Sequence, residues 1–157
     1  MTDKMKARRI DGVVLTDLRQ ITDDRGAVLH MLRSDSPGFE AFGECYLSEI
    51  KPGIVKAWKR HKLQTQNLAV PAGRIRIVLY DDRPGSSSKG MLLVYELGRP
   101  DAYKRIRIPA NVWYGFACIS NLPALIINCT DIPHRAEETE TRSVDEHDIP
   151  YQWNRDD

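Results

Sequence analysis

The sequence is poor in the residues that hold metals, with three cysteines and four histidines among 157 residues. Cys45, Cys118 and Cys129 form no C-x-x-C pair, which removes the commonest thiolate metal clip. Odd in number and set in apolar runs, they are expected to be buried thiols of a reducing cytoplasm; a reactive thiol would want a basic neighbourhood. Charge of one sign is lacking too: 23 Lys and Arg stand against 22 Asp and Glu, a formal net charge of +1. That balance leaves no electrostatic footprint for nucleic acid or for an acidic membrane surface. No apolar run approaches the roughly 18 residues of a membrane helix. The start, Met1 to Arg9, is charged and leads into no apolar stretch of signal-peptide length, so a cytoplasmic location is expected. Internal repeats and low-complexity linkers are missing. What is present is the composition of an ordinary soluble globular protein, 41% hydrophobic and 29% charged. One domain spanning residues 1–157 is expected at this length, with about two-thirds of the unfolded surface buried.

Apolar residues come in short bursts rather than helical stripes: Val13 to Leu15, Ala27 to Leu32, Cys45 to Ile50, Leu68 to Val70 and Met91 to Leu97. Arg74 to Tyr80 alternates, with Ile75, Ile77 and Leu79 on one face, as does Arg105 to Ile108. Ala124 to Cys129 is apolar enough for an inner strand. Turn signals separate the bursts: Asp23-Asp24-Arg25-Gly26, Lys51-Pro52-Gly53, Pro71-Ala72-Gly73, Asp81 to Gly90 and Gly98-Arg99-Pro100. Roughly ten short strands so divided predict an all-β antiparallel sandwich or barrel. Helix is marginal: a turn at Phe39 to Phe42 and a short surface helix within Ala136 to Asp148 are the candidates. Asp81 to Gly90 reads as a hairpin loop, and Trp153 to Asp157 as a polar end.

The most informative stretch is Gly53-x5-Lys59-x-His61-x4-Gln66-x6-Gly73. It resembles the first motif of the cupin superfamily, G-x5-H-x-H-x4-E-x6-G. Tyr103-x5-Pro109-x-Asn111-x2-Tyr114-x3-Cys118 resembles the second, G-x5-P-x-G-x2-H-x3-N. The resemblance implies a cupin double-stranded β-helix, a jelly-roll barrel. Of the positions that bind metal in that pattern, only His61 still carries histidine. Lys59 is an amine, Gln66 a neutral amide and Tyr114 a phenol, whereas a divalent metal wants three or four imidazole, thiolate or carboxylate donors. A pocket without metal or other cofactor is expected.

Further pieces resemble one branch, the RmlC-like cupins typified by dTDP-4-dehydrorhamnose 3,5-epimerase. They are Asp24-Arg25-Gly26, Ser48-x4-Gly53-Ile54-Val55-Lys56, Gly73-x7-Asp81-Asp82-Arg83, Ile108-Pro109-x5-Gly115-Phe116 and the terminal Asp148-Ile149-Pro150-Tyr151-Gln152-Trp153. Their order spans about Thr22 to Trp153. The resemblance implies 3- or 3,5-epimerisation of a nucleotide-activated 4-keto-6-deoxy sugar, which feeds polysaccharide or deoxysugar biosynthesis. Such a reaction needs a base of near-neutral pKa and a donor for the enolate. In that family a His–Asp dyad is the base, a lysine sits near the enolate, and a tyrosine serves as acid on the opposite face. Here the histidine position holds Lys59, with His61 two residues on; the lysine falls at Gln66 and the tyrosine at Pro133. The dyad carboxylate falls at Glu146, beside Asp145. Locally, Lys56-Ala57-Trp58-Lys59-Arg60-His61-x4-Gln66 also resembles the R-G-x-H-A-H-x4-Q of 3,4-ketoisomerases. A 3,4-ketoisomerase and a catalytically silent sugar-nucleotide-binding cupin are the alternatives.

The catalytic candidates are therefore His61, Lys59, Glu146 and Tyr114, each with a plainer reading. His61 on its own would be a satisfied structural histidine, Lys59 a solvated cation, and Glu146 part of a solvated acidic run from Glu137 to Asp148. Tyr114 or Trp113, but not both, faces the pocket by strand alternation, and the motif favours Tyr114 as a replacement acid. Substrate-binding candidates are Arg25, Lys56 and Arg76 for the diphosphate, Tyr46 and Trp58 (with Tyr151) for stacking on the base, Gln66, and His30. His30 falls at a family glutamate that reaches the neighbouring subunit, and His134 and His147 read as surface residues. The resemblance implies a homodimer with exchanged N-terminal strands, acting on a nucleotide-diphosphate sugar that is dTDP-linked as in the family, with no nucleic-acid or membrane partner.

Overall fold

A computed structural model describes residues 8–154. The charged start up to residue 7 and the last three residues of the polar end lie outside the described residues. The described residues form twelve strands: β1 (Val14–Asp17), β2 (Gln20–Asp23), β3 (Gly26–Leu29), β4 (Glu44–Ile50), β5 (Val55–His61), β6 (Gln66–Ala72), β7 (Arg74–Tyr80), β8 (Leu92–Gly98), β9 (Lys104–Ile108), β10 (Trp113–Cys118), β11 (Ala124–Thr130) and β12 (Thr139–Thr141). Every strand pairing among the described residues is antiparallel. One five-stranded sheet runs β1-β9-β6-β11-β4, the other β12-β5-β10-β7-β8, and β2-β3 stands apart as a hairpin. This is the cupin jelly roll that the motifs implied.

Period-two alternation builds the core. Ile75, Ile77 and Leu79 of β7 point inward to meet Leu68, Val70, Ile106, Ile108 and Ile126 of the facing sheet. Gly73 turns β6 into β7 at φ +71°, and a Cβ there would stand 2.5 Å from the Ala124 Cα, so its place cannot take a side chain. On the outer face of the second sheet, Trp58, Val78, Trp113 and Ile149 form a smaller cluster, capped by Tyr151 and Trp153 of the C-terminal segment. The Asp81–Gly90 loop connects β7 to β8 as expected, and buried Asp81 organises it by accepting from Arg83, Ser86 and Ser88.

Several local expectations are corrected. The surface helix within Ala136–Asp148 is a single 3-10 turn, Ala136–Glu138, followed directly by β12. Thr139 and Thr141 favour extended backbone, and the edge of β5 offers ladder partners that an isolated short helix lacks. The turn placed at Phe39–Phe42 lies instead at residues 34–38. Of the cysteines only Cys118 is buried; Cys45 is exposed and Cys129 half-buried, paired across β4 and β11 on the outer face with their sulfurs 3.3 Å apart.

Candidate active site

His61 is the last residue of β5, and its side chain is 4% exposed. Thr139 of β12 pairs with it, and the 3-10 turn just before places Glu138 beside the imidazole. The Glu138 Oε1 lies 2.5 Å from His61 Nδ1. Its Oε2 accepts the backbone N–H groups of Leu63 and Gln64, each at 3.2 Å. Burial by itself would raise the Glu138 pKa, but these donors hold it below the ordinary carboxylate value. Burial lowers the His61 pKa, against the pull of Glu138 and with the help of the Lys59 charge. The pair is therefore a neutral imidazole donating Nδ1–H to a carboxylate, which leaves the Nε2 lone pair as the basic site.

That lone pair meets Tyr114, whose hydroxyl is 3.1 Å from Nε2. Tyr114 lies on β10 and its pKa is driven up, first by burial. A phenol so placed stays protonated and donates to His61. The two rings lie nearly parallel, 14° apart.

In front of Tyr114 opens a cavity of about 360 Å³ between the two sheets. The first sheet contributes Tyr46 and Ser48 from β4, Leu68 from β6, and Ile126 and Asn128 from β11. From the second sheet come Lys56, Ala57, Trp58 and Lys59 of β5, Tyr114 and Phe116 of β10, and Thr141 of β12. Lys59 pairs with Tyr114 and Lys56 with Phe116, so β5 carries one extra residue between the pairs. That bulge lets two lysines three residues apart line the same cavity. Apolar walls, two cations and a buried imidazole–carboxylate pair suit an anionic, partly apolar ligand with an acidic C–H bond. Among the described residues no group of three or more His, Cys, Asp and Glu converges as a metal site would require.

Comparisons with known proteins give the family of the chain. The family model described as dTDP-4-dehydrorhamnose 3,5-epimerase matches residues 7–157. The chain belongs to that family. A spore coat polysaccharide biosynthesis protein of Bacillus subtilis is 32% identical over 147 residues, covering 92% of this chain and 97% of its own. A probable low-salt glycan biosynthesis epimerase of Haloferax volcanii is 36% identical over 144 residues, covering 90% and 88%. Among solved structures, a dTDP sugar isomerase from Desulfovibrio desulfuricans superposes with a TM-score of 0.90 at 55% identity, covering 92% of each chain.

In this member of the dTDP-4-dehydrorhamnose 3,5-epimerase family, β5, β10 and the 3-10 turn before β12 supply the buried site residues. His61, Lys59 and Tyr114 are brought together, but Glu146 is not with them. It sits in the 144–154 segment, where its carboxylate accepts the N–H of Asp148 at 3.2 Å. The acid on His61 is Glu138, and the run from Glu137 to Asp148 is not one solvated face, because the 3-10 turn before β12 carries Glu138 inward. Strand alternation alone would place Glu138 on the outward face with Glu140, which pairs with Arg60, so the local pattern gave no signal for it.

Other binding candidates in this family member also move. Arg76 points to the outer face of β7 and pairs with Glu96 at 3.2 Å, because its neighbours Ile75 and Ile77 take the inner face. Arg25, at the tip of the β2-β3 turn with its side chain 85% exposed, pairs with Asp23. Neither it nor His30 lines the cavity; the His30 carbonyl accepts the Tyr103 hydroxyl. The Trp58 ring is 1% exposed and packs on Trp153 and Tyr151, at ring-centroid distances of 5.4 and 6.3 Å, which leaves no open face for a base. Gln66 is buried and reaches the cavity only through Asn128, whose Nδ2 donates to Gln66 Oε1 at 2.5 Å. Lys56 lines the cavity while its Nζ donates to the Glu49 carbonyl at 2.8 Å. Tyr46 lines it as well. Glu138, Asn128 and Thr141 escaped sequence reasoning, since each is an ordinary polar residue outside the motifs; Ser48 stands in one of the motifs but was not singled out as a site residue.

Proposed function

We propose that this chain is a metal-independent epimerase of a nucleotide-activated 4-keto-6-deoxy sugar, inverting C3 or both C3 and C5 in polysaccharide or deoxysugar biosynthesis. The observation that carries the reading is the buried Glu138–His61–Tyr114 line ending at the cavity. A proton on the carbon beside a ketone is removed as its C–H pair becomes the enolate. Tyr114 takes that proton while its own passes to His61 Nε2, and the imidazolium is stabilised by Glu138. No phenolate forms on Tyr114, which fits a side chain whose burial opposes ionisation. Lys56 and Lys59 hold the diphosphate, as charge-assisted donors to an anion that enters through the open side of the cavity. Hydrophobic Leu68, Phe116 and Ile126 are the surface for the apolar faces of the sugar.

The nucleotide is read as dTDP, and the protein as a cytoplasmic homodimer with exchanged N-terminal strands. In support, β2-β3 is unpaired with either large sheet and exposes Ile21 and Val28, while edge strand β4 exposes Leu47. No described helix is long and apolar enough to cross a membrane.

The test is incubation with dTDP-4-keto-6-deoxyglucose in deuterated water. Deuterium at C3 or C5 with inversion is expected, and His61→Asn should abolish both. Migration of the keto group to C3 would replace this reading with a 3,4-ketoisomerase. Tight binding with no exchange would replace it with a sugar-nucleotide-binding module.

A further inference from the structure

Inversion asks for two proton-transfer groups on opposite sides of the reacting carbon. The Glu138–His61–Tyr114 line belongs to the second sheet and its edge, so a partner would have to come from the first sheet across the cavity. Tyr46, on β4, is a first-sheet hydroxyl that lines the cavity and whose hydrogen-bond direction is fixed by the surrounding structure.

The direction follows from a chain of amides read from either end. At one end, the Ile132 carbonyl can only accept, so Gln64 Nε2 donates to it at 2.6 Å. Gln64 Oε1 is then left to accept from Gln66 Nε2 at 2.7 Å. Gln66 Oε1 in turn accepts from Asn128 Nδ2 at 2.5 Å. At the other end, the Asn67 backbone N–H can only donate, and it gives to Asn128 Oδ1 at 3.2 Å. Both ends place the Asn128 nitrogen on the same side. That nitrogen also lies 2.9 Å from the Tyr46 hydroxyl and donates to it. The phenol oxygen is thus an acceptor from Asn128, and its own proton must point elsewhere. Tyr46 and Asn128 both line the cavity, so the proton points into it. Gln64, Gln66 and Asn128 are themselves buried, which keeps the array from being scrambled by water.

We propose that Tyr46 is the acid of this site, delivering a proton to the face of the enolate opposite to that deprotonated through Tyr114 and His61, with Gln64, Gln66 and Asn128 as positioning residues. In the step, the enolate pair forms the new C–H bond with the Tyr46 proton, and the O–H pair stays on the phenol oxygen. Asn128 Nδ2–H donates to the resulting phenolate. Tyr46 regains a proton from water at the cavity mouth, and His61 gives one up, so the turnover is an isomerisation with no net proton change. The reverse reaction uses the same two groups with roles exchanged.

The proposal rests on the epimerase reading, and the experiment separates the two. Wild-type protein, Tyr46→Phe and Asn128→Asp are each incubated with dTDP-4-keto-6-deoxyglucose in deuterated water, and exchange and inversion are measured separately by NMR. Tyr46→Phe keeps the base, so deuterium still washes into C3 with retention, while inversion falls by about 100-fold or more. Asn128→Asp turns the Tyr46 proton toward the new carboxylate and gives the same split between exchange and inversion. A purely structural role for Tyr46 would lower exchange and inversion together, and that result overturns the proposal, as does Tyr46→Phe inverting at the wild-type rate. Wild-type protein that neither exchanges nor inverts would instead overturn the epimerase reading on which the proposal stands.

Discussion

Replacing Glu138 by glutamine changes one atom and tests the whole base. The carboxylate serves three donors: His61 Nδ1–H on Oε1, and the Leu63 and Gln64 N–H groups on Oε2. An amide has one oxygen, and two of the three donors are backbone groups that cannot change sign. The Gln oxygen therefore turns to Leu63 and Gln64, and its NH2 faces His61 Nδ1. The imidazole answers by moving its proton to Nε2, which then donates toward Tyr114 instead of accepting from it. A base with a protonated Nε2 cannot take a proton from the cavity side. The expected loss in solvent exchange at C3 is about 10²–10⁴-fold, the usual worth of a general base. The stability loss is smaller, about 1.5–3 kcal/mol, for a hydrogen bond to a charged group exchanged for a neutral one. The tautomer can be read from the 15N shifts of His61 and the rate from deuterium wash-in. Glu138→Gln protein with an unchanged tautomer and a tenth or more of wild-type exchange would refute the reasoning.

Three further outcomes are expected. The His61 pKa is lowered from 6.5, and the neutral form is the base, so the acid limb of kcat/KM should fall below pH 6.5. Stability follows the same sign: under acid the unfolded chain protonates His61 and Glu138 before the folded chain does, so the melting temperature holds above about pH 6.5 and drops as pH falls. Lys59→Met should raise KM by about tenfold, one charge-assisted contact, and shift the acid limb to higher pH because the Lys59 charge helps to hold His61 neutral; a steady limb would show that the two groups do not interact. Leu47→Asp on the β4 edge should leave a folded monomer in sedimentation velocity, and an unchanged sedimentation coefficient would place the subunit interface elsewhere.

The barrel was legible because its physics is local. Alternation in Arg74–Tyr80 and Arg105–Ile108, and turns such as Asp81–Gly90, each announce a strand or its end within a few residues. His61 was legible for the same reason, through the spacing of its motif. Its acid was not, because the choice between Glu138 and Glu146 is made by the register of β12 on β5, a contact across 77 residues. Arg76 and Trp58 failed as site residues through the face they take, which alternation could have assigned to Arg76 from Ile75 and Ile77. For Trp58 no local rule sufficed, since its burial depends on the C-terminal segment folding over the sheet. The Gln64–Gln66–Asn128 array was invisible because amides carry no sequence signal until their partners are known.

The short β12 ladder separates the fold from its chemistry. All the long strands of both sheets are complete by Thr130, so every long ladder is built from residues that precede Glu138. Three residues, Thr139 to Thr141, dock on the edge of β5, and Glu138 beside them fixes the tautomer of His61. Closing the barrel and arming the base are thus contributions of different stretches of the chain, joined by one three-residue latch.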